Sequence, residues 1–158
     1  MTGRNDTGGL PADDEHQRFA RYLQDLAQVR EENEADLVSV VLRDPDATMA
    51  QSAVVRHLDN RAARLLTYAG FPDWAQGMAT VIGEREFLIR RLREWTLLRS
   101  ITMGDPWTPE DLATSSDWFQ RNAVETLTSP AALTLLASEG RTRRVRAAAS
   151  HRIAQRQQ

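Results

Sequence analysis

The 158 residues include no cysteine and no lysine. Without cysteine the chain has no disulfide, no iron–sulfur ligand, no thiolate zinc site and no cysteine nucleophile. Its longest apolar stretches, such as 37–42, are far shorter than the ~20 residues that cross a bilayer. Acidic residues occupy 13–15, where a signal peptide would carry an apolar run. These features predict a cytoplasmic chain that neither spans a membrane nor is exported.

Motifs for common enzyme chemistry are also missing. The histidines His16, His57 and His151 are too widely spaced for an H-x-x-x-H or H-E-x-x-H zinc frame. The sequence has no G-x-S-x-G, Walker-type or G-x-G-x-x-G motif, and its eight glycines are scattered. We therefore expect no metal, no cofactor and no catalytic residue. His57 lies beside an apolar stripe and is predicted to be a half-buried structural residue.

The densest acidic cluster consists of Glu31, Glu32, Glu34 and Asp36. Paired carboxylates can perform acid–base chemistry when burial raises the pKa of one of them. This cluster falls at the junction of two predicted helices in a polar stretch. We therefore expect it to be a solvated loop, with an enzymatic acid pair as the alternative.

Length and composition are typical of one globular domain, with 41% hydrophobic and 27% charged residues. Residues 1–12 contain three glycines and little apolar content, so we expect a disordered leader there. Residues 13–158 are predicted to form a single helical domain.

The apolar residues recur at helical spacing throughout, for example at Leu88, Leu92, Trp95 and Leu98. Prolines fall between such clusters, and serine or threonine precedes several of them in the manner of helix N-caps. The first helix is predicted from Asp13 to near Glu32. We predict an all-α fold of about seven or eight short helices, stacked as a curved solenoid or packed as a compact bundle.

Charge is unevenly distributed along the chain. Residues 1–79 carry thirteen acids and eight arginines, giving −5, whereas residues 80–158 carry nine acids and twelve arginines, giving +3. The positive excess lies in a tail without acids, and its members are Arg141, Arg143, Arg144, Arg146, Arg152 and Arg156. These arginines are candidates for binding a partner or phosphates. The alternative is that they interact with helix C-termini and with the acidic half of the chain.

Four tryptophans are many for this length, and each can serve as a stacking platform or an interface anchor. Trp95 falls in an apolar stripe and is predicted to be core. Trp107 lies between Pro106 and Thr108 in a predicted loop, which makes it the candidate binding residue among them.

A weak internal repeat relates 37–58 to 132–153 at an offset of 95 residues. The phrases VVLRDPDATMAQSAVVRHL (40–58) and LLASEGRTRRVRAAASHRI (135–153) resemble the helix–turn–helix unit of HEAT-like or variant leucine-rich helical repeats. The resemblance covers about half of the chain and implies a curved stack with a concave binding surface. The variant leucine-rich repeats that hold an iron–sulfur cluster have cysteines, which this chain lacks. The resemblance therefore implies no cluster here.

Together these features predict a non-enzymatic protein-interaction module, a regulatory or adaptor protein. The alternative is binding of the nucleic-acid backbone through the arginine-rich C-terminal helix, against which stands the isoelectric point of about 5.9. The sequence also leaves open whether the chain forms a homo-oligomer.

Overall fold

The computed structural model describes residues 11–158, of which 79% are helical and none lies in a strand. The prediction of an all-α fold is confirmed. Nine helices follow one another in this range: α1 (Pro11–Gln28), α2 (Glu31–Leu42), α3 (Ala47–Leu65), α4 (Phe71–Ile82), α5 (Glu86–Met103), α6 (Pro109–Ala113), α7 (Asp117–Thr126), α8 (Pro130–Glu139) and α9 (Arg143–Arg156). Residues 1–10 of the predicted leader lie outside the described residues, and α1 begins at Pro11.

The contacts divide the chain into two compact units. Unit 1 comprises the described part of Met1–Ala63 together with Gln76–Ile89, and unit 2 comprises Arg64–Ala75 together with Arg90–Gln158. Fourteen acids against eight arginines give the sequence of unit 1 a formal charge of −6, and eight acids against twelve arginines give unit 2 +4. The single domain over 13–158 stays a prediction.

The boundary between α1 and α2 differs from the predicted one. A first helix reaching Glu32 is wrong, because α1 ends at Gln28 and α2 begins at Glu31. Arg30 adopts an extended conformation there, and no side chain caps α2. The break contains neither glycine nor proline, so the local sequence carries no signal for it.

The turn between α2 and α3 is organised by the carboxylate of Asp44. It accepts hydrogen bonds from the Tyr22 hydroxyl at 2.7 Å, from Arg18 Nε at 3.0 Å and from the backbone N–H of Asp46 at 2.9 Å. These bonds, with that from Tyr22 the strongest influence, lower the pKa of Asp44 to about 2. Asp46 caps α3, accepting from the Met49 N–H at 3.0 Å.

Four further N-caps mark where the C-terminal helices α6 to α9 begin. Each is a serine or threonine whose hydroxyl accepts a hydrogen bond from the backbone N–H three residues later: Thr108, Ser116, Ser129 and Thr142. Proline follows Thr108 and Ser129 at the first helical position. The segment that begins after Thr108 is divided into two helices, since Ser116 caps the start of α7.

The two related segments bury corresponding positions. Pairs at the offset of 95 residues that are buried in both are Val38 and Leu133, Val41 and Leu136, Ala50 and Val145, and Val54 and Ala149. Each segment therefore turns the same side of its helix–turn–helix unit inward. The resemblance to HEAT-like repeats itself stays a prediction.

Unit 2 has its closest backbone packing where α8 turns into α9 at Gly140. A Cβ atom at Gly140 would lie 2.6 Å from the carbonyl oxygen of Leu136 and 2.8 Å from Cγ1 of Val145. The first of these neighbours is backbone and has no rotamer by which to move away. Glycine is therefore required here by the close approach of the two helices rather than by its backbone angles.

We expect Gly140→Ala to lower the free energy of unfolding by about 1–3 kcal/mol, because the added methyl group overpacks the turn. Gly77→Ala is the matched control, since its Cβ would meet no atom within 4 Å in α4. That control should be neutral or raise the free energy of unfolding by up to about 1 kcal/mol, because alanine favours helix. Urea denaturation measures both. Equal midpoints for Gly140→Ala and the wild type would contradict the packing described.

Candidate functional site

Three of the six C-terminal arginines are engaged with backbone carbonyls inside unit 2. Arg146 donates to the carbonyl oxygen of Gly140 at 2.7 Å. Arg152 donates to the carbonyl oxygens of Leu127, at 2.8 Å, and Val124. Arg156 donates to that of Thr128. This is the alternative role, in which arginines satisfy unpaired carbonyls at helix C-termini, that of α8 for Arg146 and that of α7 for Arg152 and Arg156.

The other three arginines are exposed. Arg141 lies in the turn before α9, and Arg143 and Arg144 are its first two residues. None of their guanidinium groups forms an ion pair or hydrogen bond with another described residue. The nearest acid in the sequence, Glu139, also forms no ion pair with a described residue. The structure thus gathers three free cations at the N-terminal end of α9.

The outer side of α9 continues this exposed surface. Ala147, Ser150, His151 and Ala154 are all exposed, and they lie opposite the buried residues Val145 and Ala149. We call this side of α9, with Arg141, Arg143 and Arg144, the arginine face. It is basic at its N-terminal end, and further along it presents two alanines, a serine and a histidine.

The placement of these cations opposes the usual preference of a helix. The positive end of the helix dipole lies at the N-terminus, where acids stabilise and bases destabilise, typically by about 0.3–1 kcal/mol each. The first turns of α2, α4, α5, α6 and α7 carry Asp or Glu, whereas those of α3, α8 and α9 carry no acid, and in α9 two arginines stand there instead. An anion bound at the arginine face would relieve this repulsion.

A buried glutamine holds the turn that carries Arg141. The side chain of Gln120 is fully buried, and its Nε2 donates to the carbonyl oxygens of Leu112 at 3.1 Å and Ala113 at 3.3 Å. Its Oε1 accepts a hydrogen bond from the backbone N–H of Arg141 at 2.8 Å. The turn is therefore fixed to the end of α6. Gln120 was not predicted from the sequence, since its partners lie up to 21 residues away.

The tryptophans divide between packing and partial exposure. Trp95 is buried as predicted and meets Trp118 edge to face, with ring centroids 5.8 Å apart. Arg91 lies over the Trp118 ring at 3.5 Å from its centroid. Trp107 is half-buried in the connection between α5 and α6 and stays a separate candidate from the arginine face.

The acidic cluster of α2 is not a solvated loop, and that prediction is wrong. It forms the first turns of α2, and the Glu34 side chain is only 4% exposed. One Glu34 oxygen lies 2.6 Å from His57 Nε2 and accepts from Arg61 Nε at 2.9 Å. The spacing of residues along α2 does not predict this pairing, because His57 and Arg61 belong to α3. His57 is more deeply buried than predicted.

This carboxylate–imidazole pair contains groups that transfer protons in many enzymes. Here both side chains are 4% exposed, and Arg61 covers the same carboxylate. The pair therefore ties α2 to α3 within unit 1 and is shielded from solvent. In residues 11–158, no three His, Asp or Glu side chains are grouped so as to hold a metal ion.

Comparisons with protein-family models, with curated proteins and with solved structures found no match. No described helix is long and apolar enough to cross a membrane.

We expect Glu34→Ala to lower the free energy of unfolding by about 3–5 kcal/mol, because it leaves His57 and Arg61 without their buried partner. Glu32→Ala is the control, as its side chain is 71% exposed on the same helix. It should change stability by no more than about 0.5 kcal/mol. Thermal or urea unfolding distinguishes them, and similar losses for both variants would show that Glu34 does not hold α2 to α3.

Proposed function

We propose that this chain is a protein-interaction module that binds an acidic surface of another protein through the arginine face. One observation carries the proposal: Arg141, Arg143 and Arg144 are exposed together and pair with no described residue. The sequence has no acid from Arg141 to its last residue. Guanidinium groups suit carboxylates because their planar fork donates two parallel hydrogen bonds.

The rigidity of the site supports the same proposal. Gln120 holds the turn at Arg141, and Thr142 caps α9 by accepting from the Val145 N–H at 3.1 Å. Arg146 and Arg152 fasten the other side of the helix to backbone carbonyls. A partner therefore meets cations on an already ordered helix and loses less entropy on binding. A regulatory or adaptor role in the cytoplasm belongs to this proposal.

Binding of the nucleic-acid backbone is the second candidate, favoured by the +4 charge of unit 2. Duplex binding at physiological salt requires many phosphate contacts. Each contact makes the slope of log K against the logarithm of the salt concentration steeper by about 0.9. Arg146, Arg152 and Arg156 are engaged with carbonyls, which leaves three arginines of the tail for phosphates. An acidic protein surface needs fewer contacts and is the better match.

Fluorescence anisotropy with a labelled oligoglutamate peptide and a labelled short DNA duplex tests the proposal. We expect the full chain to bind the peptide at low salt, and Arg143→Glu with Arg144→Glu to weaken that binding by about tenfold or more. The control is Arg90→Glu with Arg93→Glu, which makes the same charge change at exposed positions of α5. Its affinity should stay within about twofold of the wild type.

Equal weakening by the two double variants would contradict a site at the arginine face. Absence of peptide binding at low salt would contradict the proposal as a whole. Tighter binding of the duplex than of the peptide, lost in the variant at 143 and 144 only, would establish the second candidate in its place.

A further inference from the structure

The outer side of α2 carries a surface of opposite charge. Glu32, Asp36 and Val40 recur every four residues and are all exposed, opposite the buried residues Val38 and Val41. Glu31 is also exposed, at the start of the helix, but it lies seven residues before Val38 and therefore not on this side. We call this side of α2 the acidic face. Glu32 of this face forms an ion pair with Arg30 at 3.9 Å, which joins side chains that are 71% and 81% exposed and is therefore weak.

The acidic face matches the arginine face in charge. Glu32 and Asp36 oppose Arg141, Arg143 and Arg144, two acids against three arginines. The units that carry them have opposite formal charges as well, −6 for unit 1 and +4 for unit 2. Complementary potentials of this kind steer two protein surfaces together and fix their register.

The two faces also match along their length. Each is charged at the N-terminal end of its helix and carries small or apolar side chains further on, with Val40 on α2 and Ala147 and Ala154 on α9. Val40 is 52% exposed, a large fraction for a valine in the middle of a described domain. At about 1.5 Å per residue, Val40 lies about 12 Å beyond Glu32, and Ala154 about 16 Å beyond Arg143. With Asp36 placed level with Arg143, Val40 lies level with Ala147, four residues further along each helix.

We propose that the arginine face of one copy docks on the acidic face of a second copy of this chain. This inference rests on the proposed function, and it names the acidic partner as the chain itself. The contact is heterologous, since two different surfaces meet, and such contacts give rings where the rotation closes and open filaments where it does not. The chain then associates head to tail, and its degree of association grows with concentration.

Sedimentation equilibrium of the full chain tests this at low and high salt. We expect the weight-average mass to rise above the 17.8 kDa monomer with increasing concentration at about 0.01 M salt. It should return to the monomer at about 1 M salt, where the Debye length falls from about 30 Å to about 3 Å. Arg90→Glu with Arg93→Glu should associate as the wild type does, because those arginines lie on α5.

Two charge-reversed variants give the decisive comparison. Arg143→Glu with Arg144→Glu makes both faces acidic, and Glu32→Arg with Asp36→Arg makes both faces basic. Each variant alone should require a concentration at least about tenfold higher than the wild type to associate. An equimolar mixture of the two should regain association, because each supplies the charge that the other lost. That recovery also shows that both variants are folded.

A chain that stays monomeric at every concentration and salt would overturn the inference, as would association that both reversals leave unchanged. A mixture that fails to regain association would overturn the pairing of these two faces. If the monomeric chain still binds oligoglutamate through Arg143 and Arg144, the proposed function stands and the second copy is not the partner. Loss of both the self-association and the peptide binding removes the two proposals together.

Discussion

The hydrogen bonds from α9 to the C-terminal end of α7 determine which residues of unit 2 remain available. A helix end leaves backbone carbonyls without partners, and a charged donor satisfies them more strongly than a neutral one. Arg152 donates hydrogen bonds to the carbonyl oxygens of Val124 and Leu127, and Arg156 donates to that of Thr128. With these side chains turned inward, the roll of α9 about its axis is fixed. Arg143 and Arg144 then necessarily lie on the outer side.

Each unit contains a buried polar side chain that joins separate helices. In unit 2 it is Gln120, which donates to the end of α6 and accepts from the turn before α9. In unit 1 it is Glu34, which joins α2 to His57 and Arg61 of α3. A buried polar group must be paired or its desolvation is uncompensated. Such residues therefore restrict how the helices pack, which apolar side chains alone do less strictly.

Much of the helical framework follows from local sequence. Proline after serine or threonine at 108–109 and 129–130 marks helix starts, and the apolar spacing of α5 identifies its buried side. The break at Arg30 was missed because no glycine, proline or capping side chain marks it. The burial of Glu34 and the role of Gln120 depend on partners in other helices. A pattern of neighbouring residues does not contain that information.

The candidate site was predictable in composition but not in geometry. The acid-free tail identified six arginines, and nothing in their spacing separated the three that reach carbonyls from the three that stay free. That division depends on the end of α7, which lies 25 to 28 residues before Arg152 and Arg156. The charge pattern of α2 was visible in the sequence as well. Its division into a buried Glu34 and an exposed acidic face required the packing of α3.

Amide hydrogen exchange of the full chain, with and without the oligoglutamate peptide, tests most directly whether the arginine face is the binding site. The amides of Arg143 and Arg144 begin α9 and have no partner within the helix, so they exchange readily until a ligand covers them. We expect slowed amide exchange over 141–147 on peptide binding, and unchanged exchange over 90–93. Peptide binding that protects another segment and leaves 141–147 unchanged would contradict it.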